Sequence, residues 1–154
     1  MIFQGRYSQT MWGSPLAPFV EAKVYATDDR WVKVFFLIDL GADGTYLPRK
    51  YVTKLGLQPD EAKTKDDVTG IGGRRIEHVP FTTQIRFESD GGHRTFDLEI
   101  GVFTQEESLD VPILGRDVMN FFTVLCDVRA NLVWLLDEAE RTKLLQFCDA
   151  IETP

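Results

Sequence analysis

The chain has 154 residues, 44% hydrophobic and 12% aromatic, which is enough apolar material for one domain with a real core and too much for a disordered chain. Its 17 Lys and Arg against 24 Asp and Glu leave a formal charge of −7, a surface that repels phosphate backbones and anionic lipid, so neither nucleic acid nor a membrane is an expected partner. Two cysteines, Cys126 and Cys148, are too few for a disulfide framework or a zinc site, and neither a leader pattern at Met1 to Arg6 nor a long apolar run is visible; a soluble, cytoplasmic protein is expected.

Residues 1–18, with Gly5, Gly13, Pro15 and Pro18, read as a loosely structured lead-in. Val20 to Ala26 then alternates apolar and polar residues with period two, the mark of a strand with one buried face. Asp28 and Asp29 supply a turn, and Trp31 to Ile38 is nearly continuous in apolar residues, as in a strand covered on both faces. Pro48 can open a short helix that runs through Leu55 and ends at Gly56. Phe81, Thr83, Ile85 and Phe87 alternate with polar neighbours, Ser89 to Gly92 forms a hairpin turn, and Phe96, Leu98, Ile100 and Val102 resume the alternation. Thr123 to Val128 and Leu132 to Leu136 flank the turn residues Arg129 to Asn131. After Asp137, Leu144, Phe147, Cys148 and Ile151 recur at the spacing of one helix face.

Most familiar catalytic patterns fail here. His78 and His93 lack partners at metal-ligand spacing and read as surface or strand-edge residues. None of the four serines sits in a Gly-x-Ser-x-Gly elbow. Gly70-Ile71-Gly72-Gly73 is followed by a β-like run, so the helix N-terminus that binds phosphate in a dinucleotide site is missing. No cofactor or metal is implied. What remains is Asp39, a carboxylate at the end of an apolar strand, followed by Leu40, Gly41, Ala42 and Asp43. Read alone, Asp39 is either functional or the start of a turn, its carboxylate accepting from N–H groups two residues on.

Three segments in order, Asp39-Leu40-Gly41-Ala42-Asp43, Gly70-Ile71-Gly72-Gly73 and Ile113-Leu114-Gly115-Arg116-Asp117, resemble the active-site loop, flap tip and C-terminal apolar-apolar-Gly-Arg segment of the retropepsin-like aspartic proteases. The resemblance covers residues 19–136 and leaves 137–154 as a helical extension. It implies a mainly β, small closed barrel-like domain with one or two short helices, working as a homodimer on peptide or protein substrate. Asp39 from each of two subunits would form the catalytic pair, Gly70 to Gly73 would cover the substrate, and Asp43 would pair with Arg116. Two carboxylates that close share one proton. Where the family carries Thr or Ser after the catalytic Asp, this sequence has Leu40, which offers no hydrogen bond to the partner loop. The alternative is therefore a weakened or inactive module of the same fold, used for dimerisation or peptide binding.

Overall fold

A computed structural model describes residues 1–58, 63–69, 75–104 and 111–152. Among the described residues, ten strands form one sheet. They are β1 (Ile2–Gln9), β2 (Leu16–Tyr25), β3 (Trp31–Ile38), β4 (Tyr46–Leu47), β5 (Lys65–Thr69), β6 (Arg75–Ser89), β7 (Gly92–Phe103), β8 (Ile113–Leu114), β9 (Thr123–Asp127) and β10 (Leu132–Leu136). The helices that accompany them among the described residues are α1 (Lys50–Leu55), α2 (Arg116–Met119) and α3 (Glu138–Glu152). The strand order is β5-β6-β7-β4-β8-β3-β2-β1-β10-β9, and a short extra contact, Lys23 to Arg86 and Val24 to Ile85, joins β2 to β6. The mainly β expectation holds. In place of a barrel with every edge paired, a long sheet folds back on itself and leaves β5 and β9 as its edges.

The alternating sequences face as their periodicity dictates. Thr83, Ile85 and Phe87 are buried, whereas Thr82 and Glu88 are exposed. The inward set meets Phe3, Val20, Val24, Phe36 and Ile100, all nearly inaccessible, in one apolar core. Each such side chain contributes about 1.5–3 kcal/mol relative to an exposed position. Phe87 and Phe122 lie 5.4 Å apart in edge-to-face contact, and Phe3 packs on both.

Two expectations are corrected. Residues 2–9 are not a loose lead-in: β1 runs antiparallel between β2 and β10, and Phe3 is buried. Gly5 hides this strand from propensity arguments, yet it is required, because a Cβ there would collide with the Phe19 carbonyl of β2. His78 is likewise no surface residue. It is 6% exposed and meets the Tyr46 ring edge-on at 5.4 Å, in space that Gly101 leaves open by having no side chain.

Helix α1 ends as its sequence suggests, with Gly56 left-handed at φ 64°. Asp137 caps α3 by accepting from the Glu140 N–H at 3.1 Å. Among the described residues no helix is long and apolar enough to cross a membrane. Cys126 and Cys148 are both free and exposed.

Candidate active site

Asp39 stands where two chain segments cross. Strand β3 pairs in parallel with β8, Leu37 opposite Ile113 and Ile38 opposite Leu114, and the Asp39 N–H continues that ladder by donating to the Leu114 carbonyl at 3.1 Å. Ile38 and Leu114 are buried beneath it, so the carboxylate is delivered from a rigid, apolar base. Immediately afterwards the chain turns. The Asp39 carbonyl accepts from the Ala42 N–H at 3.2 Å, and its carboxylate accepts from the Gly41 N–H at 2.8 Å. The turn-forming role is thus realised in this residue. The carboxylate stays half-exposed, and Leu40 beside it is 58% exposed.

The rest of the loop is fastened to the segment at residues 113–117. The Arg116 N–H donates to the Ala42 carbonyl at 2.9 Å and the Asp117 N–H to the Asp43 carbonyl at 3.2 Å. Arg116 also donates through its guanidinium to the Asp43 carboxylate, the pair implied by the resemblance. Asp43 is 86% exposed, so in the single chain this ion pair adds little stability. Gly115 passes against Gly44 so closely that a Cβ would overlap the Gly44 carbonyl group.

The strongest tie was not among the sequence candidates. Thr45 is 1% exposed; its hydroxyl donates to Asp117 at 2.7 Å and accepts from the Gly115 N–H at 3.2 Å, while its own N–H donates to the other Asp117 oxygen at 2.9 Å. The Val118 N–H gives the carboxylate a further bond at 2.9 Å. A buried Thr shortly after the loop and an Asp directly after Arg116 were the available signals, but only tertiary contact distinguishes them from turn and surface residues. Thr45→Val keeps the shape and removes the hydroxyl. It leaves the buried Gly115 N–H without its acceptor and takes from Asp117 one of the two bonds to the oxygen that the Val118 N–H also reaches, so urea unfolding should report a loss of about 1–3 kcal/mol.

The structure therefore brings together Asp39, Gly41, Ala42, Asp43, Ile113, Leu114, Gly115 and Arg116, and leaves Leu40 projecting outward. Gly70, Ile71, Gly72 and Gly73 lie outside the described residues; the strands before and after them, β5 and β6, pair antiparallel with Thr69 opposite Arg75. Among the described residues, no cluster of three or more His, Cys, Asp or Glu could hold a metal ion.

A mainly β sheet carrying a strand-end Asp on a crossed pair of loops defines the retropepsin-like fold. Residues 21–118 match the aspartyl protease family, and the chain belongs to that family. A retropepsin-like aspartic protease from Rickettsia conorii is similar at TM-score 0.55 and 20% identity, covering 88% of each chain. EIAV protease, in complex with the inhibitor HBY-793, is more distant, at TM-score 0.44 and 22% identity over 71% of this chain and 91% of its own. The retroviral protease-like domain of Ddi1 from Leishmania major reaches 0.42 and 18% identity over 79% and 95%. No curated protein matches the sequence.

Proposed function

We propose that this protein is an aspartic endopeptidase whose catalytic pair is Asp39 from each of two subunits, hydrolysing peptide bonds in extended or unfolded polypeptide. The observation that carries this reading is the half-exposed carboxylate at the end of β3, held by the Gly41 N–H on a loop braced by Thr45, Asp117 and Arg116. One carboxylate cannot act both as base toward water and as acid toward the carbonyl oxygen of the scissile bond. Two of them, a few ångströms apart, hold one proton between them, and the charged member activates the water while the protonated member supports the developing oxyanion. Family membership and the described loop support the chemistry; the second carboxylate requires a second copy. Gly70 to Gly73 would close over the substrate and exclude bulk water. No metal or cofactor enters this mechanism.

Leu40 favours a second reading, a dimerisation or peptide-binding module that no longer cleaves, since its side chain cannot form the hydroxyl bond expected between paired loops. Both readings are tested on an unfolded protein substrate at mildly acidic pH over a dilution series. The peptidase reading expects cleavage whose specific activity falls as the protein is diluted toward monomer. Specific activity independent of dilution down to verified monomer contradicts the shared pair. A wild type that binds substrate uncut, beside a Leu40→Thr variant that cuts it, establishes the second reading.

A further inference from the structure

We propose that the cavity bounded by the start of β7, the link from α2 to β9 and the first turn of α3 binds a small oxyanion, a phosphate ester or a polycarboxylate, through the guanidinium groups of Arg94 and Arg141. None of the described residues lining it belongs to the Asp39 loop, and the site stands independently of the peptidase reading.

The cavity measures about 380 Å³, a size for a small molecule and not for a macromolecule, and Arg94, Asn120, Thr123 and Arg141 bring polar groups to its wall. Arg94 is the anchor. Its guanidinium carbon lies over three rings, 5.0 Å from the centre of Phe96, 5.3 Å from Phe122 and 5.9 Å from Phe121, and its Nη1 donates to the Phe121 carbonyl at 3.4 Å. These contacts fix the head group and favour its charge, but ring faces are poor acceptors for N–H groups.

A guanidinium carries five N–H donors in a planar fork that matches the oxygens of a phosphate or carboxylate. Among the described residues, Arg94 makes only that one long hydrogen bond and pairs with no carboxylate, although the chain has 24 Asp and Glu. An arginine held in place by aromatic rings, lining a cavity with its donors unused, is preorganised for an oxyanion.

Arg141 supplies the second cation. It donates to Glu138 at 3.1 Å, and with Glu138 80% exposed that ion pair is weak enough to be exchanged for a ligand. Glu138 is also the carboxylate among the described lining residues, so it competes for the arginines. Two further acids at this end of α3 have cations of their own: Asp137 meets the Met1 ammonium at 2.5 Å, and Glu140 meets Lys143 at 2.8 Å. The net charge of −7 does not draw anions from a distance, so recognition rests on the local donors.

Isothermal titration calorimetry on the full chain, with inorganic phosphate and with citrate in chloride buffer of matched ionic strength, compares wild type with four variants. Arg94→Gln is expected to weaken binding about tenfold or more and Arg141→Gln about threefold or more, whereas Glu138→Gln, which removes the competing carboxylate, tightens it about threefold. Arg129→Gln is the control for loss of one positive charge, because Arg129 is exposed in the turn at the opposite end of the β9–β10 hairpin; it should change binding less than about twofold. Arg141 and Glu138 are solvated, so their variants keep the test decisive even if Arg94→Gln fails to fold. Tighter binding of phosphate assigns the site to phosphate esters and tighter binding of citrate assigns it to polycarboxylates; either result supports it. Absence of saturable binding of both anions by folded wild type up to about 10 mM overturns the site. Binding that Arg141→Gln leaves intact, or that Arg129→Gln weakens equally, overturns it too.

Discussion

Asp39→Asn is expected to abolish peptide cleavage, with a fall of at least about a thousandfold in kcat/KM, while leaving folding and dimerisation intact. Each general acid or base step is worth about 10²–10⁴ in rate, and under the proposed mechanism the substitution removes both members of the pair at once. Asparagine can neither take a proton from water nor pass one to the scissile amide. The fold tolerates the change because the bond from the Gly41 N–H to the Asp39 carboxylate is retained by the asparagine carbonyl oxygen. Circular dichroism and sedimentation matching wild type, with cleavage lost, are the expected result. Substantial cleavage by Asp39→Asn would remove the aspartic mechanism.

Gly115→Ala is expected to be the most damaging conservative change to stability, about 2–4 kcal/mol by denaturant unfolding, with activity falling more steeply than the folded fraction. The added methyl would enter the Gly44 carbonyl group, which is backbone and cannot rotate aside. Relief requires separating the Asp39 loop from α2, and that separation strains the Thr45–Gly115 bond and both backbone bonds from Arg116 and Asp117 to the loop. Gly44 and Gly115 are thus the point at which the two crossed loops touch. A loss below about 0.5 kcal/mol would show that the loops are not in close contact there.

Much of the frame was readable wherever local pattern and tertiary role agree. The apolar run Trp31 to Ile38 is β3 end to end and Leu132 to Leu136 is β10, because burial of one face imposes the same period on sequence and structure; the segment after Asp137 is the helix α3, but its stripe is not a buried face, since Phe147 and Cys148 are exposed. The strand-end position of Asp39 and the Asp43–Arg116 pair were legible through motif order. What stayed hidden depends on neighbours far along the chain. Strand β1 contains Gly5, which weakens any strand signal yet exists to admit the Phe19 carbonyl. Strands β4 and β8 are two residues each, too short for periodicity, although they form the crossing that supports the site. Thr45 and Asp117 are 72 positions apart and acquire meaning only once the loops meet. His78 lies in a β-like run between Glu77 and Val79, and only the space above Gly101 makes its burial possible.

The proposed mechanism requires two copies of Asp39 in one active site. Wild type and Asp39→Asn, mixed in equal amounts at the total concentration of an all-wild-type dimeric control and allowed to exchange, measure this directly. Random pairing leaves about one quarter of the dimers with two intact carboxylates, so the mixture should show about one quarter of the control's activity. An activity of about one half, proportional to the wild-type chains present, would mean that each chain carries a complete site of its own and would contradict the shared pair.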